Sequence, residues 1–248
     1  MSIFLNEYFF IPRWQFYYGE LFGNENLYAI GDFEKDSSMK LFNEKVNKIN
    51  YCPKVQANFK EHCELALNLQ KKLLENYDVV IYAEADQFFV PDPEKYENLK
   101  DYLKKNIQDY IKVSGYNVIH LIDEEKTLNP NQSILGQRKY WCKDPGMEDK
   151  MTIVRKPVEW YSPGFHMSKP DVPRDPDLYN IHLHKCDFDQ TNCRRNTKTN
   201  SVTWATGSGP TADGFHTWIQ DNNLKNYWYQ DAFKTGISLI PTKFHGII

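Results

Sequence analysis

The sequence predicts an α/β fold, a mostly parallel sheet flanked by helices and followed by a less regular C-terminal half. Three observations carry that expectation. Strand and amphipathic helix signals alternate through the first half of the chain, with short connections between them. One strand signal, Asp78 to Asp86, is continuously apolar before its carboxylates, as a strand buried on both faces would be. After about Leu128 the rhythm breaks into loops rich in Asn, Pro, Gly and Trp, separated by brief strands.

Each element has a local reason. Ser2 to Asn6 reads as a short strand. The stretch "EYFFIPRWQFYYGELFG" follows as a helix with apolar residues at three-to-four spacing. Proline is tolerated in a first turn, so the helix is expected to start at Pro12, and Gly23 suits its C-terminal stop. Leu27 to Asp32 is a second strand. Asn58 to Tyr77 is an amphipathic helix with Leu65, Leu69 and Leu73 on one stripe. Asp78 to Asp86 is the third strand. Pro91 and Pro93 open a helix from Glu94 to about Tyr110, and Gly115 to Ile122 is the next strand. Lys150 to Arg155 and Leu178 to Lys185 are the brief strands of the second half. With no repeat or Gly/Ser linker, a single domain over 1–248 is expected. Residues 1–125 form its nucleotide-type half, and 126–248 complete the site.

Composition narrows the function. With 41% apolar residues and 15% aromatics, the 248-residue chain can bury a sizeable core. Lys and Arg total 30 against 33 Asp and Glu, a net charge of −3. Broad attraction to nucleic acid or to an anionic membrane is therefore not expected. A bound phosphate must be met locally, by a few aimed cations or a metal. The five cysteines, with no C-x-x-C, suit a reducing compartment better than a disulfide framework. The first residues lack a basic n-region, and no apolar run approaches the ~20 residues that span a bilayer. The expectation is a cytoplasmic protein with no integral membrane segment.

Glu84 and Asp86 stand one residue apart where the third strand ends. Ligands of open α/β sheets bind beyond the carboxyl ends of strands. Residues i and i+2 share one side of an extended chain. Two carboxylates so close repel unless a cation lies between them or one is protonated. A divalent ion, Mg²⁺ or Mn²⁺, meets that need and keeps positions open for phosphate. The competing reading makes one a helix cap and the other a solvated surface group. His182 and His184, in "YNIHLHK", are a second i, i+2 pair, and imidazole suits Mn²⁺ better than Mg²⁺. The competing reading there is a core histidine bonded to backbone.

Taken together, these segments resemble the GT-A-fold nucleotide-sugar glycosyltransferases, in which an acidic D-x-D pair holds a metal on a nucleotide diphosphate. "FLNEYFFIPRWQFYYGELFGNENLYAIGD" is similar to the opening of their family-2-like branch, and "EADQFFVP" to its acidic segment. "GQRKYW", "DKMTIVRKP" and "LYNIHLHKCDFD" resemble its later blocks. Small glycosyltransferases of large algal DNA viruses share this pattern, which suggests a virus-encoded enzyme. The similarity runs discontinuously from Ile3 to Arg195. Glu84 stands where Asp is usual, and Gln87 where Glu is usual.

The resemblance implies a GT-A-like sheet and a hexosyl- or deoxyhexosyltransferase that uses a UDP-sugar and a glycan or protein-linked acceptor. It implies Asp86 and His184 as metal ligands, with Glu84 reaching the ion or a ribose hydroxyl. His184 is favoured over His182 because the chain leaves the strand there and Lys185 follows toward the phosphates. Asn6, Glu7 and Asp32 would line the nucleotide, although Asp32 could simply cap its loop. Arg138-Lys139 and Arg194-Arg195 supply local positive charge, with Arg138 and Lys185 assigned to the nucleotide. His166, Trp160 and Tyr161 would border the sugar and acceptor, whereas His120 reads as structural. Glu148 and Asp149 are candidates for the base of an inverting transfer, with Asp187 and Asp189 as rivals. A metal-dependent phosphohydrolase, or a sugar- or nucleotide-binding module with a degenerate site, are the alternatives.

Overall fold

The computed structural model describes residues 1–52, 59–146, 148–161, 163–201 and 228–248. Helix α1 (Phe10–Phe22) forms where Phe10, Ile11, Trp14 and Tyr18 recur at helical spacing, and all four are buried. The helix starts two residues before Pro12, its expected first residue, and Pro12 lies in its first turn. Gly23 ends the helix at φ 86°, a conformation that favours glycine. Helix α2 (Phe59–Leu73) buries Cys63, Ala66, Gln70 and Leu73. The leucine stripe expected to face inward is thus displaced, and Gln70 answers for its burial by accepting from Val158 N at 2.8 Å. Asn58, the expected start of this helix, lies outside the described residues.

Strands β1 (Ser2–Ile3), β2 (Tyr28–Gly31) and β3 (Asn47–Asn50) pair in parallel. The third expected strand is much shorter than its apolar run. Strand β4 spans only Val80–Ile81, and the chain turns through 84–86 into a separate strand, β5 (Gln87–Pro91). Pro91 therefore closes a strand and Pro93 sits in the turn after it, instead of the two opening a helix, and α3 covers only Leu99–Lys105, started by an Asn98 cap on Asp101 N. Strand β6 (Tyr110–Ile119) is longer than expected and starts earlier. A short α4 (Ile134–Gln137) leads to β7 (Tyr140–Lys143) and β8 (Met151–Val154). A two-stranded piece, β9 (Glu159–Trp160) with β10 (Ser168–Lys169), precedes β11 (Arg174–His182). Helices α5 (Phe188–Ser201) and α6 (Gln230–Thr235) and strand β12 (Ile237–Leu239) complete the described chain.

The sheet is mixed, and the expectation of a mostly parallel one is corrected. β11 runs parallel to β6 and antiparallel to β5, while β8 is antiparallel to both β4 and β6. β7 is antiparallel to β6 and to β12. Met1 links this sheet to the parallel one: its amino group donates to Ile81 O at 2.7 Å and Ala83 N donates to its carbonyl at 3.2 Å, a parallel pattern. The pairing directions place β1, β2, β3, β4, β6 and β11 pointing one way, with β5, β7 and β8 opposed. Segments from both halves of the chain share one core, in which Phe4, Trp14, Phe88, Val113, Ile153 and Ile181 are all buried.

Candidate metal centre

Like-directed strands bring their carboxyl ends to one edge. Asn6 and Glu7 follow β1, Asp32 follows β2, Asp86 follows β4, and His182 closes β11 with His184 two residues beyond it. Backbone bonds set the last three side by side before any side chain is considered. His182 is paired with Gln87 in the β5–β11 ladder, and Leu183 N donates to Asp86 O at 2.8 Å. One ligand atom from each of Asp86, His182 and His184 lies within 4.8 Å of the others. His182 Nε2 is 3.7 Å from Asp86 Oδ1, and His184 Nδ1 is 3.9 Å from Oδ2. Those gaps are too wide for hydrogen bonds and suit three donors around one ion.

Asn117 orients the first imidazole. It faces His182 across the β6–β11 ladder, and its Oδ1 lies 2.7 Å from His182 Nδ1. Its Nδ2 donates to Asp144 Oδ2 at 2.9 Å, so Oδ1 is the acceptor and His182 Nδ1 carries a hydrogen. Nε2 is then left for Asp86 or a metal, the arrangement that outer hydrogen bonds impose on ligating histidines.

Arg194 supplies the fixed positive charge. Its Nη1 donates to Asp86 Oδ2 at 2.6 Å and lies 3.2 Å from His184 Nδ1. Its Nε and Nη2 donate to Glu7 Oε1 at 3.0 and 2.6 Å. The guanidinium comes from α5, whose start is tied down by Gln190 N donating to Asp187 Oδ1 at 3.0 Å.

These contacts set the protonation states. Burial opposes the Asp86 carboxylate, yet Arg194, then His182 and His184, outweigh it and hold its pKa well below the usual range. Burial, followed by Arg194 and His182, pushes His184 well down, so it stays neutral, with Nδ1 facing Arg194 Nη1. Burial also lowers His182, but Glu148 and Asp86 overcome that and raise it to about 9. A metal entering this cluster therefore displaces a proton from His182 and competes with Arg194 for Asp86.

Next to the cluster, Lys150 is almost fully buried between two carboxylates. Its Nζ is 2.5 Å from Glu84 Oε2 and 3.3 Å from Glu148 Oε2. Gln87 Nε2 donates to the same two residues at 2.9 and 2.7 Å. Burial raises the Glu148 pKa, but His182, Lys150 and His166 together bring it below its ordinary value. The backbone of Glu148 crosses directly over Gly115. A Cβ at Gly115 would stand 2.5 Å from Glu148 Cβ and 2.7 Å from its carbonyl carbon. Glycine at that position is what lets Glu148 reach the site.

The structure assembles some of the expected residues and moves others away. Glu84 is drawn to Lys150 and Gln87, so His182, not Glu84, joins Asp86 and His184. Glu7 sits at the cluster through Arg194. Asn6, at φ 54°, donates its N–H to Asp36 Oδ2 at 2.7 Å. Asp32 accepts from Glu34 N and Lys35 N, the loop-capping role. Arg138 is buried and spent on Cys186 O, Lys126 O and Asp187 Oδ2, so it is a core residue rather than a phosphate ligand. Lys185 is buried, and its charge helps keep His184 neutral. Asp149 is anchored to Gly115 N at 2.8 Å and to Arg174 and Lys143.

Trp160 is only 3% exposed, packs against Tyr82 and Phe165 and donates to Met151 O, which removes it from any sugar surface. Tyr161 is exposed. His166 lies near enough to Glu148 to lower its pKa. Of the rival bases, Asp187 is buried against Arg138 and Leu128 N, and Asp189 accepts from Thr127. The side chain of Arg195 lies outside the described residues. Sequence reasoning gave no role to Lys150 or Asn117; Asn117 lies two residues after Gly115 in the same strand signal, so alternation puts the two on one face.

No protein-family model matches this chain, and no curated protein sequence matches it significantly. Among the described residues, no helix is long and apolar enough to cross a membrane.

Proposed function

We propose that the protein is a metal-dependent glycosyltransferase that moves a sugar from a nucleotide diphosphate, of UDP type, to a glycan or protein-linked acceptor with inversion. The observation that carries the reading is the Asp86–His182–His184 cluster at the carboxyl edge of the sheet. Two imidazoles and one carboxylate favour Mn²⁺ over Mg²⁺. When bound, such an ion supplies positive charge to the leaving diphosphate. Asp86 and His184 present the donors, and Asn117 holds His182 in the ligating tautomer. Arg194, whose guanidinium bridges Glu7 and Asp86, adds fixed positive charge beside the leaving phosphates. Glu148, ionised at neutral pH, accepts the proton of the acceptor hydroxyl as the new glycosidic bond forms.

Two neighbouring readings use the same donors. Two His and one carboxylate also serve iron(II) oxygenases, but the cations Arg194 and Lys150 beside the cluster favour a polyanionic ligand. A two-metal phosphohydrolase needs a second cluster, and among the described residues only the Asp86–His182–His184 group is found.

Thermal unfolding with UDP, with and without Mn²⁺, tests the proposal. A ligand at 100 times its Kd stabilises by about 2.7 kcal/mol, which for a chain of this size is a rise of roughly 5–10 °C. The rise is expected only when both are present, and a panel of nucleotide-sugars with Mn²⁺ should then reveal slow hydrolysis of the true donor. Absence of any joint effect of UDP and Mn²⁺ overturns the assignment.

A further inference from the structure

A cavity of about 570 Å³ opens between α1, α3 and the beginnings of β2 and β4. It lies at the opposite strand ends from Asp86 and His184, so it is separate from the metal centre. Its volume falls within the roughly 300–1,000 Å³ of small-molecule sites. Trp14, Tyr18, Phe22, Leu73, Val80 and Leu103 make up much of its wall. Three polar side chains of that wall are already satisfied. Trp14 Nε1 donates to Ala83 O, Tyr18 OH to Gln87 O, and Tyr77 OH to Asn26 Oδ1. Such a surface offers water little to bind, and an apolar cavity of only ~150 Å³ already stays dry and takes up apolar ligands.

The mouth has the opposite character. Lys100 and Lys104 on α3 are exposed there and make no salt bridge among the described residues, although Asp101 lies near enough to feel the Lys104 charge, and Ile107 beside them is 81% exposed. Arg155 completes the rim. Its guanidinium donates to the carbonyls of Asp78, Leu103 and Asn106 but meets no carboxylate among the described residues, and its buried Nε has no acceptor. Asp78 is the single carboxylate in the lining, against three cations.

We propose that this cavity binds a single-chain lipid with an anionic head, its tail among Trp14, Phe22 and Leu73 and its head against Lys100, Lys104 and Arg155. The apolar wall selects the tail and the unpaired cations select the head.

Calorimetry and thermal unfolding of the full chain test this with lysophosphatidic acid and lysophosphatidylcholine of equal chain length, both below their micellar concentration, and with inorganic phosphate. One lysophosphatidic acid should bind per chain and raise Tm, while the phosphocholine lipid binds more weakly and inorganic phosphate has no effect. The double variant Lys100→Glu/Lys104→Glu, exposed and outside the core, should weaken binding about tenfold, the scale of two rim charge reversals. Leu103→Trp, which fills the cavity, should abolish it. Both variants should bind UDP and Mn²⁺ like the wild type, which separates this site from the metal centre. The proposal is overturned if lysophosphatidic acid does not bind the wild type. It is equally overturned if the charge-reversed variant binds as tightly, or if either phosphate alone or the phosphocholine lipid binds as well.

Discussion

Replacing Gly115 by alanine should disturb both the fold and the site, through one contact. The added Cβ would sit 2.5 Å from Glu148 Cβ, 2.7 Å from its carbonyl carbon and 2.9 Å from its carbonyl oxygen. Two of those are main-chain atoms, so no rotamer change relieves the clash. The crossing segment is also tied down on both sides: Glu148 N donates to Asp144 Oδ1, Asn180 Nδ2 donates to Glu148 O, and Gly115 N donates to Asp149 Oδ1. Overpacking of this kind costs about 1–3 kcal/mol. Removing glycine's backbone freedom returns about 0.4–1 kcal/mol. The net loss is about 1–2 kcal/mol, or a drop in Tm of roughly 2–8 °C for a chain of this size. Urea and thermal unfolding measure it. Because the strain pushes Glu148 off Gly115, turnover of the nucleotide-sugar should fall further than stability does, while Mn²⁺ binding at Asp86 persists. Unchanged Tm together with unchanged turnover would refute the claim that Gly115 places Glu148.

Three other outcomes follow from the contacts. Arg138→Met leaves Asp187 buried without its partner, a loss of about 3–5 kcal/mol in urea unfolding; folded protein should still bind UDP and Mn²⁺ normally, and weakened nucleotide binding would restore Arg138 to the site. In chelator-treated protein the protonated His182, raised to about 9 from 6.5, contributes stability that is whole below pH 6.5 and is lost as pH rises through 9. The full shift corresponds to about 3 kcal/mol, and His182→Gln should flatten that fall; parallel curves for the two proteins count against the buried imidazolium. Asn117→Ala frees the His182 tautomer and should weaken Mn²⁺ binding by about 10–100-fold, with His184→Ala weakening it at least as much.

Much of the site was legible because its residues close strands. Glu84 and Asp86 after an apolar run, and His182 and His184 after another, are marked by alternation alone, and the carboxyl-edge rule then brings them together. That Asp86, more than Glu84, turns toward the histidines was implied only by the resemblance. That choice depends on Lys150, a residue 64 positions further along the sequence than Asp86, whose buried ammonium draws Glu84 away. Arg194 was indistinguishable from other cations because α5 carries little amphipathic pattern to reveal its inward side. The fold was misread where tertiary pairing overrode local pattern. "VVIYAEADQFFVP" looks like one strand and a helix start, yet it is two strands joined at the acidic turn, because Ile81 and Ala83 are claimed by Met1 and Tyr82 by Thr152, while Gln87 is claimed by β11. The opposed strands β5, β7 and β8 are only four or five residues long, and direction is not written in so short a run, which is why a mixed sheet was read as mostly parallel. Trp160 and Arg138 were placed in the site by residue type, and burial sent both to the core.

The central claim is that Asp86, His182 and His184 hold one divalent ion. Calorimetric titration of Mn²⁺ into chelator-stripped protein near pH 8 tests it most directly, with Asp86→Asn run beside the wild type. One Mn²⁺ per wild-type chain, with binding lost in Asp86→Asn while its circular dichroism is unchanged, is the expected result. Equal binding by the two proteins, or none by the wild type, would contradict it.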